Sequence, residues 1–126
     1  METHIPTPNM FIVSVKDVEK STRFYRDLFD MEPIMTTPRY VPFEIAPGVI
    51  FAIWSGSGAE VMPTTPRSSE VGLLLPGGGA EIDDLFDTWV ERGATVVEKP
   101  HDDVFGRTFV VADPDGNLLR GAPVDR

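Results

Sequence analysis

Asn9-Met-Phe-Ile-Val-Ser-Val-Lys-Asp-Val-Glu-Lys-Ser-Thr-Arg-Phe-Tyr-Arg-Asp-Leu-Phe29 changes its hydrophobic period halfway, and that change decides the fold. Residues 9–15 are β-branched and apolar, too short for a helix, and ended by Lys16-Asp17; they read as a strand at Met10–Val15. Beyond them Val18, Ser21, Tyr25, Leu28 and Phe29 recur near helical spacing, with Glu19, Lys20, Arg23, Arg26 and Asp27 filling the rest. Asp17 stands where an N-cap is wanted, and Pro33 ends any helical option. The spacing predicts a helix near Val18–Phe29.

The same strand-then-helix phrase returns further along. Glu70-Val-Gly-Leu-Leu-Leu75 reads as a strand. Ile82, Leu85, Phe86, Trp89 and Val90 follow the i, i+3, i+4, i+7, i+8 pattern of a helix near Ala80–Arg92, with Gly93 at C′ and Trp89 in the core. A hairpin follows each helix. Tyr40–Ile45 and Val49–Trp54 flank Ala46-Pro47-Gly48, and Arg107–Ala112 and Asn117–Ala122 flank Asp113-Pro114-Asp115-Gly116. The chain therefore reads as one βαβββ unit written twice. Module one covers about 9–54, module two about 70–122, and a Gly/Ser/Thr/Pro-rich linker covers 55–69.

The expected class is α+β, a single domain over residues 1–126, with a curved mixed sheet and helices on its outer face. One module leaves a sheet face uncovered opposite its helix. Two modules side by side curve those faces into a ligand cup, lined by side chains of alternate parity.

Composition narrows the function classes. The chain has 126 residues, 41% of them hydrophobic, which suffices for one real core. No apolar run approaches the ~20 residues that span a bilayer, so no membrane partner is expected. Met1-Glu-Thr-His-Ile-Pro6 has neither a basic nor an apolar leader segment, and the protein is expected in the cytoplasm. Cysteine is absent, which removes disulfides, thiolate catalysis and Cys-ligated zinc. A formal charge of −9 argues against nucleic acid, whose phosphates need a basic footprint. Pro76-Gly-Gly-Gly79 lacks both the GxGxxG spacing and the Walker lysine, and reads as a strand-to-helix connection.

Two strings carry a family resemblance: Val15-Lys-Asp-Val-Glu-Lys-Ser-Thr-Arg-Phe-Tyr-Arg-Asp-Leu-Phe29 and Phe109-Val-Val-Ala-Asp-Pro-Asp-Gly-Asn-Leu-Leu119. With them the chain resembles the vicinal oxygen chelate superfamily of glyoxalases, extradiol dioxygenases, fosfomycin-inactivating transferases and bleomycin-type resistance proteins. Thr37-Pro-Arg-Tyr40, Phe51-Ala-Ile-Trp-Ser-Gly56 and Asp103-Val-Phe-Gly-Arg-Thr-Phe109 resemble, within it, the phenazine antibiotic resistance proteins. The likeness covers nearly the whole chain, and it is far more specific for fold than for function.

Carried over residue by residue, the family's metal-ligand positions fall on Met10, Ala52, Glu70 and Arg120. Ala52 has no donor atom, Met10 offers only a thioether, and Arg120 is a fixed cation that repels a metal. Glu70 alone could ligate. His4 in the terminal tail and His101 in a loop before the Arg107–Ala112 strand are expected to be solvated. No metal and no cofactor are expected, and the balance tilts from enzyme to binding protein.

Parity predicts the cup's lining. Met10, Ile12 and Ser14 face inward, with Ile50, Ala52 and Trp54 on the next strand, while Phe11, Val13 and Val15 pack on the helix. In module two the same rule puts Gly72 and Leu74 beside Glu70, and Leu118 and Ala122 beside Arg120. Trp54, near the mouth, is the expected stacking residue for a planar ligand. Arg39 and Tyr40 are expected to supply a cation and an aromatic edge, and Phe43 and Phe105 a second aromatic face. Arg120 and Glu70 either pair with each other or meet the ligand. Arg67 receives no role. The expected function is metal-free sequestration of a planar aromatic small molecule, such as a phenazine-type antibiotic, by a homodimer. The rivals are a lyase, isomerase, transferase or dioxygenase with displaced ligands, and a regulatory module with a vestigial cup.

Overall fold

The computed structural model of the chain describes residues 6–56 and 63–124; His4 and the middle of the linker lie outside them. The order is β1 (Met10–Ser14), α1 (Val18–Phe29), β2 (Tyr40–Ala46), β3 (Val49–Trp54), β4 (Glu70–Leu75), α2 (Gly79–Glu91), β5 (Thr95–Asp103), β6 (Gly106–Ala112) and β7 (Leu118–Pro123). The strands make a three-stranded sheet, β1-β3-β2, and a four-stranded sheet, β4-β7-β6-β5. In each, the first strand runs parallel to the last and the hairpin strands run antiparallel. The α+β class is as expected, and a strand, a helix and a hairpin recur in both units.

The second unit is the complete βαβββ. The first holds three strands, because the chain between α1 and β2 carries Pro33 and Pro38 and forms no ladder. Only isolated bonds tie it down, such as Ile34 N to Pro42 O at 2.9 Å.

Local chemistry sets the helix ends. The Asp17 carboxylate accepts from Lys20 N at 3.1 Å, as an N-cap should. Asp30 closes α1 in the left-handed region, at φ 51°. Beyond α2, Gly93 takes φ 102°.

The core is continuous across both units. Tyr25, Phe43, Phe51, Trp89, Phe109, Ile82 and Leu119 are fully buried. The Tyr25 ring lies 4.8 Å from Phe51, and Trp89 stands edge-on to Phe109 at 5.8 Å. Trp89 Nε1 donates to Leu28 O at 3.1 Å, tying α2 to the end of α1. The β6–β7 turn binds the units more strongly. Asp113 accepts from the Tyr25 hydroxyl at 2.6 Å, and Asn117 Nδ2 donates to Ser14 O at 2.9 Å. The Asp115 carboxylate accepts from Lys16 N at 3.2 Å and from the Ser21 hydroxyl at 3.4 Å.

Two packing expectations are corrected here. Phe43 lies in the core, because it stands opposite Phe51 in the β2–β3 register and shares its helix-facing parity. It offers no face to a ligand. Phe11 is 48% exposed: the helix covers Val13 and Val15 but not the start of β1.

Candidate ligand site on the sheet faces

The β2–β3 register places Tyr40 directly across from Trp54. Their rings meet edge-on at 6.4 Å, and the Arg39 guanidinium carbon lies over the indole, 5.5 Å from its centroid. At an exposed site such a cation–π contact contributes about 0.5–1 kcal/mol. Gly56 makes room for this arrangement, since a Cβ there would fall 2.0 Å from an indole carbon. Trp54 is half-buried in this cluster.

On the same face the register aligns Met10 with Ile50 and Glu44, and Ile12 with Ala52 and Pro42. Met10 is 43% and Ile12 53% exposed, leaving an apolar surface beside the aromatic cluster. Ala52 corrects an expectation. As the middle residue of the central strand it is fully buried, so its methyl group forms floor and offers no accessible wall.

Module two carries the charged half. Arg120 Nε and Nη2 donate to the two carboxylate oxygens of Glu70 at 2.7 and 3.0 Å. Arg120 Nη1 donates to the Thr108 hydroxyl at 3.0 Å, and that hydroxyl donates to Gly121 O at 2.7 Å. Phe105, at the tip of the β5–β6 hairpin, has its ring centroid 5.5 Å from the Arg120 guanidinium carbon. Phe105 thus belongs to the Arg120 group and not to an aromatic sandwich with Trp54.

The Arg120 hydrogen bonds hold the Glu70 carboxyl below the usual carboxylate range, against the opposing effect of burial. Stability from this pair is present above the ordinary glutamate pKa and lost as pH falls through the depressed one. Both side chains are partly exposed, so Glu70→Gln should cost about 1 kcal/mol at neutral pH. Urea unfolding of parent and variant should show that difference shrinking as the solution is acidified.

The described side chains at the family's metal positions do not suit a divalent cation. Ala52 supplies no donor, Met10 supplies a thioether, and both Glu70 oxygens already accept from Arg120. His101 lies in β5, opposite Thr108, and not in a loop as expected. Its Nε2 sits 3.6 Å from Glu98 and 3.7 Å from Asp103.

The site residues therefore form two groups on two sheets, Arg39–Tyr40–Trp54 and Glu70–Arg120–Thr108–Phe105. Among the described residues no hydrogen bond, ion pair or ring contact joins them. A separate open groove of about 1340 Å³ runs past Lys16, Lys20 and Arg23 to Pro38 and Pro114. It has no aromatic lining, and charged side chains are mixed with prolines and threonines along its walls; the sheet faces are the better site for a planar ligand.

Sequence reasoning missed Thr108, which only the β6–β7 pairing brings under Arg120, and Gly56, whose role depends on how the indole lies. It also missed Arg67. Its guanidinium donates to Thr65 O at 2.6 Å and Asp115 O at 2.8 Å, fastening the end of the linker to the β6–β7 turn.

Comparison with known proteins agrees with this architecture. The profile of the Glyoxalase/Bleomycin resistance protein/Dioxygenase superfamily matches residues 7–120. The phenazine antibiotic resistance protein EhpR of Enterobacter agglomerans is 47% identical over 122 residues, covering 94% of this chain and 93% of EhpR. Protein ATC0852 of Agrobacterium tumefaciens superposes with a TM-score of 0.85 at 27% identity, covering 97% of this chain and 100% of that one. A glyoxalase-related enzyme from Fulvimarina pelagi superposes with a TM-score of 0.80 at 22% identity, covering 95% and 89%, a likeness of fold alone. The chain belongs to the glyoxalase/bleomycin resistance protein/dioxygenase superfamily.

Proposed function

We propose that this protein binds and sequesters a planar aromatic small molecule of the phenazine type, without metal and without bond making. The observation that carries this reading is the half-buried Trp54 indole beside Tyr40 and Arg39, on a sheet face bearing exposed Met10 and Ile12. Its likeness to a phenazine antibiotic resistance protein supports the same ligand class. Protection then follows stoichiometry: each bound molecule is withdrawn from its target. The protein works in the cytoplasm, and with a charge of −9 it has no nucleic-acid partner.

The working unit in this reading is a homodimer whose second copy completes the cup. Edge strand β2 carries Pro42 and Glu44, and edge strand β5 carries bulges, Glu98, Asp102 and Asp103; such features block pairing. Edge strand β1 has no proline or charge, and edge strand β4 has only Glu70. Leu74 on β4 is 58% exposed. Light scattering should give about twice the 13.9 kDa chain mass at micromolar concentration.

Thermal unfolding tests the binding reading. A phenazine in excess, with chelator present, should raise the Tm by several degrees, since a ligand at ~100 times its Kd adds about 2.7 kcal/mol. No shift across phenazines and related tricyclic aromatics would refute it.

A further inference from the structure

Residues three apart in a regular strand point to opposite faces, yet in β5 the side chains of Glu98 and His101 meet. The pairing shifts between them, around Pro100, so that Glu98 stands opposite Val110 and His101 opposite Thr108. Asp103, two residues further along, shares their face by plain alternation. The bulge thus sets one imidazole between two carboxylates at the base of the β5–β6 hairpin tip. His101 Nδ1 lies 2.8 Å from Lys99 O, and a carbonyl only accepts, so Nδ1 carries the proton of the neutral ring. Nε2 is left to face Glu98 Oε1 at 3.6 Å and Asp103 Oδ2 at 3.7 Å. In the neutral ring a lone pair meets two anions; in the charged ring an N–H does. Asp103 Oδ1 accepts from Val104 N at 2.7 Å, which joins the cluster to the tip.

The other charges around His101 are already engaged. Arg107 on β6 is held by Asp83 of α2 and lies 3.6 Å from Asp102. Arg120 on β7 is held by Glu70 of β4 and by Thr108. The tip has little packing of its own: Val104 is 96% exposed, and the Phe105 ring rests against the Arg120 guanidinium. We propose that His101 is a proton-operated clasp on the β5–β6 hairpin. Charged, it draws in Glu98 and Asp103 and fixes the tip, with Phe105 against Arg120. Neutral, it repels both carboxylates and releases the tip. Acid therefore orders one edge of the module-two sheet face, whatever ligand that face takes.

Backbone 15N relaxation of the free protein at about pH 8 and about pH 5.5, either side of the ordinary histidine range, tests it. The Arg120 bonds hold Glu70 below the usual carboxylate range, so that pair stays ionised at both. In the parent the heteronuclear NOE of Val104 and Phe105 should rise on acidification toward the values of β6, while those of the β2–β3 hairpin stay constant. The rise should follow the ring resonances of His101 and disappear in His101→Gln, whose side chain takes up no proton. Glu98→Gln combined with Asp103→Asn should lose the rise although the ring still titrates. A tip equally ordered at both pH values overturns the proposal. So does a rise that persists in His101→Gln or in the variant with both carboxylates neutralised.

Discussion

Asp113→Ala should destabilise the protein by about 3–5 kcal/mol, the scale on which a buried charged network loses its centre. Asp113 is buried and its carboxylate accepts four hydrogen bonds, from the Tyr25 hydroxyl, Asp115 N, Asn117 N and Asn117 Nδ2. Removing it strands those donors, and the Tyr25 hydroxyl lies in a side chain with no exposed surface. Burial, followed by the charges of Asp113 and Asp115, pushes Tyr25 well above its ordinary pKa, so it remains a donor at any physiological pH. Because the turn belongs to module two and Tyr25 to module one, the loss falls on the junction between them. For a domain of this size the Tm should fall by roughly 10 °C or more. Tyr25→Phe should cost less, about 1–3 kcal/mol, since one bond is lost and the other three remain. A cost for Asp113→Ala below about 1 kcal/mol would show that the junction does not depend on this turn.

Trp54→Ala should leave the fold intact and weaken phenazine binding by about tenfold or more, each factor of ten being ~1.4 kcal/mol. The side chain is half-buried at a strand end, so little core volume is lost. Tryptophan emission quenched by ligand in the parent should no longer respond in the variant. Trp54→Phe should recover part of the affinity through its smaller face. Trp89→Phe is the control: it removes the bond to Leu28 O and part of a buried ring, lowering stability while sparing affinity. A Trp54→Ala protein that binds as tightly as the parent would end the stacking account.

Much of this was legible in the sequence, for identifiable reasons. Both helices announced themselves through apolar spacing, and the turn residues at 46–48 and 113–116 bracketed two hairpins. The repeat implied β5 but gave it no bounds and left His101 in a loop, because its pairing shifts at Val96/Glu98 and again at Glu98/His101, around Pro100, which destroys any alternation. The ladder-free stretch after α1 was hidden by the assumption that module one copies module two in full. Phe43 was misplaced because a strand's parity depends on its register, and the pairing with Phe51 set it.

The Asp113–Gly116 turn was read correctly as a turn, yet its larger task was invisible. Its partners Tyr25, Ser21, Lys16 and Ser14 lie far away in sequence. Of the candidate site, the Trp54–Tyr40–Arg39 cluster lies across the hairpin, and the bidentate Glu70–Arg120 pair is one of the two arrangements that sequence left open. The strings carrying the family likeness turn out to serve the junction between modules, and this is why they signal fold better than function.

The central claim is stoichiometric, metal-independent sequestration, and one titration tests it directly. Chelator-treated protein is titrated with a phenazine that binds it while tryptophan emission is followed, and the ligand is then recovered and weighed by mass spectrometry. The account predicts saturation at one ligand per chain, with every molecule recovered unchanged. Conversion of ligand by substoichiometric protein, or binding that disappears with chelator and returns with a divalent metal, would contradict it.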